Sequence, residues 1–125
     1  MYYSIRYYFL SLDLKIFLKN VQMNSFYKKH IFFCTNQRKD KNKRSCGSEE
    51  VNQLRTYMKE KIKAAGIKGI RVNSSGCLNR CKRGPLMVIY PEGLWLQVTN
   101  KKDIDLIIEK YLINNNLTKK LVISN

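Results

Sequence analysis

The sequence predicts an α/β fold running β-α-β, then a β-hairpin, then a last helix, with a four-stranded mixed sheet. Three observations carry this. Two β-branched and aromatic runs flank a stretch whose apolar residues recur at helical spacing. A near-continuous apolar run is followed by Pro91-Glu92-Gly93 and a second short run, the pattern of a hairpin. A final apolar stripe, again at helical spacing, closes the patterned region. The 125 residues suit one domain with a modest core, and 44 % apolar with 26 % charged residues is an ordinary globular mixture. That balance excludes a multi-domain enzyme, a collagen-like chain and a wholly disordered one.

Each element follows from local chemistry. His30-Ile31-Phe32-Phe33-Cys34-Thr35 reads as the first strand. A polar, basic loop over residues 36–45 follows it. Ser48 stands where it can cap a helix, with Glu49 and Glu50 at the positive end of the dipole. Val51, Leu54, Met58, Ile62 and Ala65 form one helical face, and Gly66 offers a stop. Residues 67–73 read as the second strand. Because a helix joins the first two strands, they are expected to be parallel with a right-handed crossover. Residues 86–90 read as a central strand, 91–93 as a turn and 94–98 as the returning strand. Thr99 or Asn100 caps the last helix, whose apolar positions are Ile104, Ile107, Ile108, Tyr111 and Leu112. After Asn114-Asn115-Asn116 a loose tail is expected, with residues 121–123 able to add a short strand. The order of elements describes an α/β sandwich of the thioredoxin kind, without internal repeats.

The chain thus divides into an extension over residues 1–25, a patterned domain over 26–113 and a tail over 114–125. The extension starts aromatic and basic, but Asp13 and Lys15 interrupt it before it matches a signal peptide, and no small-x-small cleavage site follows. Met23, just ahead of the patterned region, is a candidate start. No stretch reaches the ~20 apolar residues that span a bilayer. With no export signal, the thiols are expected in a reducing compartment, and the expected location is cytoplasmic. Lys plus Arg number 24 against 9 Asp plus Glu, a net charge of +15. The excess is densest between residues 30 and 72. It implies attraction to an acidic protein, nucleic acid or membrane surface, unless it is simply a solvated basic surface.

The four cysteines are Cys34, Cys46, Cys77 and Cys81, spaced C-x11-C, then thirty residues, then C-x3-C. Cys34 ends the first predicted strand and Cys77 lies just past the second. Parallel strands put both at the same carboxyl edge, where open α/β sheets hold ligands. Cys46 closes the loop that Cys34 opens, and Cys81 returns within a turn of Cys77. All four sulfurs can therefore converge on one small object. Several readings compete. Two disulfides need an oxidising compartment. Inert buried thiols prefer apolar neighbours, whereas these have Thr, Asn, Ser, Gly, Arg and Lys. A structural zinc site favours tight knuckles on both sides, which the eleven-residue gap does not supply. A redox dithiol uses C-x-x-C, which is absent. A cluster on four thiolates fits the pattern best.

These residues also carry a resemblance. Phe33-Cys34-Thr35-Asn36, Ser45-Cys46-Gly47, Ser75-Gly76-Cys77-Leu78-Asn79-Arg80-Cys81-Lys82-Arg83-Gly84-Pro85 and Tyr90-Pro91-Glu92-Gly93-Leu94-Trp95 are similar to the thioredoxin-like 2Fe–2S ferredoxin family. The resemblance spans residues 31 to about 112, roughly two-thirds of the chain. It implies a thioredoxin-like fold, one 2Fe–2S cluster per chain, electron transfer and commonly a homodimer. Cys34, Cys46, Cys77 and Cys81 fall on the family's ligand positions. The family is related to cluster-bearing subunits of respiratory complex I and of hydrogenases, so the resemblance is compatible with a subunit role. Ferredoxins are often acidic, whereas this chain is strongly basic, which points to a redox partner with an acidic docking face. The extension lies outside the family pattern.

A cluster with four thiolates is anionic and gains charge on reduction, so nearby cations raise its potential. Arg38, Lys39, Lys41, Lys43 and Arg44 lie in the first loop, and Arg80, Lys82 and Arg83 flank the second pair of cysteines. The expected potential is less negative than the roughly −400 mV of plant-type ferredoxins. Gly47, Gly76 and Gly84 are expected to allow close backbone approach and positive φ. Pro85 is a candidate cis proline. Trp95 is expected in the hairpin core or a dimer interface. His30 is expected to be a solvated residue at the start of its strand, since Rieske sites need two His. No catalytic constellation is present, so an electron carrier is expected and not an enzyme. The alternatives are an iron–sulfur carrier or sensor, and a zinc-stabilised basic nucleic-acid binder, the less favoured of the two.

Overall fold

The structure is a computed structural model that describes residues 26–40, 42, 46–116 and 119–124. The expectations for residues 1–25, and for Lys41, Lys43 and Arg44, lie outside the described residues. Strand β1 covers Lys29–Cys34, helix α1 Glu49–Ala64 and strand β2 Ile70–Ser75. A single 3-10 turn, Cys81–Arg83, leads into the hairpin of β3, Leu86–Tyr90, and β4, Leu94–Gln97. Helix α2 runs over Lys101–Leu106 and continues as wider π-helical turns over Ile107–Ile113. The sheet order is β2-β1-β3-β4. β1 is parallel to β2 and antiparallel to β3, and β3 is antiparallel to β4. This is the mixed four-stranded α/β sheet that the element order predicts.

The helix starts obey capping chemistry. The Ser48 hydroxyl accepts from the Val51 N–H at 3.2 Å, with Glu49 and Glu50 in the first turn. At α2 both predicted candidates take part. Asn100 is the cap, accepting from Asp103 N–H at 2.9 Å, while the Asp103 carboxylate accepts from Thr99 N–H and its hydroxyl.

Several boundaries differ from the sequence expectation, those of β1 and β4 by a single residue. Ala65 is exposed and serves as the C-cap of α1 instead of a core position. β2 starts at Ile70, not at residue 67, and extends through Ser75. Gly66 and Gly69 both take positive φ, +70° and +80°, so the chain turns twice before it can enter the sheet. The Gly69 carbonyl then accepts from the N–H groups of Lys28 and Lys29 and docks this turn on the start of β1.

Strand alternation sorts the side chains. Ile31, Phe33, Val72, Met87, Ile89 and Leu96 share one face and pack with the apolar stripes of α1 and α2, so these two helices lie on that side. Ile104, Ile107, Ile108 and Tyr111 are the buried positions of the last helix. Leu121, in the expected tail, is buried in this same core. Val122 makes one antiparallel bridge to Leu96, with Gln97 N–H donating to Leu121 and Ile123 N–H to Trp95. A smaller cluster of Cys34, Cys46 and Leu86, flanked by Leu78, Trp95 and Ile123, stands apart from this core.

Candidate metal centre

The carboxyl edge of β1 and β2 assembles the site. The last rung of the parallel ladder pairs Cys34 with Ser75. Thr35 continues past it, its N–H and its hydroxyl both donating to the Ser75 carbonyl. Cys77 follows two residues after Ser75, so the ladder sets Cys34 and the Cys77 loop side by side. Cys46 returns to the same place because Gly47 N–H donates to the Asn36 carbonyl at 2.7 Å and ties the two ends of the first loop together. A Cβ on Gly47 would stand 2.2 Å from the Thr35 carbonyl oxygen and 2.4 Å from that of Asn36. Gly84 plays a matching part on the other side, where a Cβ would lie 2.7 Å from the Cys46 sulfur. Neither of these glycines, nor Gly76, adopts positive φ, contrary to that part of the expectation. Gly47 and Gly84 are needed for close approach, and Gly76 faces open space.

The four thiols form two pairs. Cys34 and Cys46 share one buried cluster, at 1 % and 5 % exposure. Cys77 is exposed and Cys81 half-buried, with their sulfurs 3.6 Å apart. No disulfide joins any of them. The pairs lie within electrostatic reach, since Cys81 interacts with both Cys34 and Cys46. Among the described residues, no three His, Cys, Asp or Glu side chains are gathered as a site for a single metal ion. The arrangement is two separate pairs of soft donors.

Electrostatics set the pairs apart. Burial, and then the Cys34 thiol, push the Cys46 thiol up to about 12, although the Leu86 N–H favours its thiolate. The Arg38 guanidinium donates to Cys81 at 3.3 Å and lies 3.9 Å from Cys77. That contact, followed by the hydrogen bond from Cys77, holds the Cys81 thiol below its ordinary range. The Asn79 N–H donates to Cys77 at 3.3 Å, from a residue at φ +60°. The second pair is thus an exposed, electropositive place for thiolates.

Neighbouring residues fall partly as expected. The Gly84–Pro85 bond is cis. Gln97 donates to the Gly84 carbonyl at 2.9 Å and Val98 N–H to that of Pro85, anchoring the loop beside Cys46 to the end of β4. Trp95 is half-buried against the Cys34–Cys46–Leu86 cluster, with the Arg80 guanidinium 5.0 Å from its ring centre. His30 is not simply solvated: Asn73 lies 3.3 Å from its Nδ1, and it stacks on Phe32. Sequence reasoning placed Arg38 among several loop cations without singling it out. Its contact with Cys81 spans 43 residues and depends on the loop's path.

Comparison with known proteins gives a consistent result. No family model matches the chain. It is 35 % identical over 98 residues to a 2Fe–2S ferredoxin of Clostridium pasteurianum, covering 77 % of this chain and 96 % of that one. It is 31 % identical over 99 residues to a 2Fe–2S ferredoxin of Aquifex aeolicus, covering 77 % and 89 %. The crystal structure of the wild-type thioredoxin-like 2Fe–2S ferredoxin from Aquifex aeolicus superposes with a TM-score of 0.70 at 30 % identity, covering 79 % of this chain and 99 % of that one. A cysteine-to-serine variant of that ferredoxin superposes equally well, at 29 % identity over 78 % of this chain and 99 % of the other. Sequence and fold agree over nearly the whole length of these relatives, and on that ground the chain belongs to the thioredoxin-like 2Fe–2S ferredoxin family.

Proposed function

We propose that this protein is a small one-electron carrier that holds one 2Fe–2S cluster through Cys34, Cys46, Cys77 and Cys81. The observation that carries the reading is the pairing of the thiols at one sheet edge. A diiron cluster needs two thiolates at each iron, and the two pairs match that demand better than the closed tetrahedral set of a structural zinc. The residues also fit the group in charge and shape. Arg38 already favours thiolate at Cys81, and Gly84 leaves the Cys46 sulfur unobstructed. When bound, the cluster supplies one-electron redox chemistry. The chain's part is to supply thiolates, to exclude water around Cys34 and Cys46, and to present Cys77 and Cys81 to the surface.

Four thiols without disulfides are consistent with residence in a reducing compartment, the cytoplasm. A homodimer is the expected assembly. Rings of Phe26, Tyr27, His30, Phe32 and Tyr90 adjoin one another near the sheet face opposite α1 and α2, with Phe26 88 % and Tyr90 45 % exposed. A second copy is the occupant we assign to that surface. Sedimentation of the purified protein tests it. The ligand assignment is tested by four single Cys→Ser variants purified without oxygen. Each is expected to lose or shift the visible absorption of the wild type. A Cys→Ser variant that keeps the wild-type spectrum and iron content removes that residue from the ligand set.

A further inference from the structure

The exposed thiol pair lies beside an open cleft of about 450 Å³ lined by Arg38, Asn79, Arg80, Cys81, Lys82 and Arg83. Four of these six are cations and none is an acid. Among the described residues none of these four cations is paired with a carboxylate. Among the described residues the ion pair is Lys29 with Glu92 at 2.7 Å, outside this cleft. The Asp103 carboxylate is engaged at the α2 cap, that of Asp105 with the Tyr57 hydroxyl, and that of Asp40, two residues from Arg38, with the Asn42 N–H. Arg80 is held over Trp95 and donates to the Ser124 carbonyl, so one cation of the rim has a fixed seat. Lys82 and Arg83 are exposed on the turn that carries Cys81.

We propose that this rim is the docking surface for an acidic redox protein, with electron exchange occurring across the Cys77–Cys81 edge. The inference rests on the electron-carrier reading and names the face and the partner chemistry. A concave basic rim around an exposed donor edge concentrates anionic partners and raises their association rate. Cys34 and Cys46 lie beneath protein, so a partner seated on the rim approaches the site from its exposed side.

The test uses the cluster-loaded full chain and two double variants with the same change in net charge. Lys82→Glu with Arg83→Glu alters the rim. Lys63→Glu with Lys68→Glu alters exposed positions at the far end of α1 and in the turn before β2. The readout is the second-order rate of oxidation of the reduced protein by hexacyanoferrate(III), a trianion. One electron passes to the reagent, giving hexacyanoferrate(II) and the oxidised protein, with no bond made or broken. At low ionic strength the rim variant is expected to slow by about ten-fold and the control by less than about two-fold, within the range of electrostatic steering. Removing rim cations also lowers the potential, which favours oxidation, so a fall in rate reports docking and not driving force. Poly-L-glutamate is expected to slow the wild type and spare the rim variant. Equal slowing of both variants, or no protection by polyglutamate, overturns the proposal. So does a single-stranded oligonucleotide that competes at lower concentration than polyglutamate. A chain without iron and acid-labile sulfide in assays made beforehand defeats the electron-carrier reading instead, and the two failures are thereby distinguished.

Discussion

Arg38 makes the two thiol pairs chemically unequal. Its guanidinium lies 3.3 Å from Cys81, while Cys46 is shielded by protein and raised to about 12. Thiolate is the nucleophile, so a thiol with a lowered pKa reacts at lower pH. In the reduced, cluster-free protein, Cys81 is expected to be alkylated by iodoacetamide near neutral pH, where Cys46 stays protonated and inaccessible. Peptide mapping by mass spectrometry after timed alkylation checks this, and faster modification of Cys46 contradicts it. In the loaded protein the same cation favours the more negative, reduced state. Arg38→Gln is therefore expected to lower the midpoint potential by a few tens of millivolts, the effect being limited by solvent screening at an exposed position. Potentiometric titration of the two proteins reads it directly. Legibility ends at this scale. Four cysteines are visible in any reading of the chain, and their spacing excludes most rival chemistries. Which cation reaches which sulfur depends on a loop path that no local periodicity encodes.

Among the elements, the start of α1 and the loop before β3 bear most directly on the site. Gly47 and Gly84 lack room for a Cβ, whereas Gly76 has nothing within 4 Å. Gly47→Ala must push the Thr35 and Asn36 carbonyls aside and is expected to destabilise the fold by more than about 2 kcal/mol. Gly84→Ala displaces the Cys46 sulfur and is expected to reduce iron retention, while Gly76→Ala leaves both properties near wild type. Urea unfolding and iron content of the three variants separate these outcomes. Ser48→Ala, which removes the cap of α1, is expected to cost about 1 kcal/mol. The elements were readable where one signal dominates. Val51, Leu54, Met58 and Ile62 repeat at helical spacing and are all buried in α1. They were less readable where backbone conformation decides. Apolar Ile67 suggests strand, but two positive-φ glycines delay β2 to Ile70. The same composition signal that marks a glycine cannot say whether it serves a turn, as at Gly66, or a close approach, as at Gly84.

At the scale of the whole molecule, the β-α-β order explains how two cysteine pairs 31 positions apart at their nearest, Cys46 and Cys77, reach one edge. The crossover makes β1 and β2 parallel, and the parallel ladder ends at Cys34 and Ser75. That much of the fold and site was legible from element order alone. Residues 121–123 were legible only in part: the apolar run Leu121-Val122-Ile123 suggests a short strand, and Val122 does bridge Leu96, but the burial of Leu121 is set by the distant β4 and helices, which no local pattern encodes. Leu121→Ala is expected to lower stability by about 2–4 kcal/mol, as for other large-to-small core changes, with thermal unfolding as the check. The central claim is one 2Fe–2S cluster per chain. Its most direct measurement is the iron and acid-labile sulfide content of the anaerobically purified full chain, with the visible spectrum recorded before and after reduction. About two irons and two sulfides per chain, with absorption that bleaches on uptake of one electron, is the predicted result. A colourless protein carrying about one zinc, even after anaerobic reconstitution with iron and sulfide, would contradict the account.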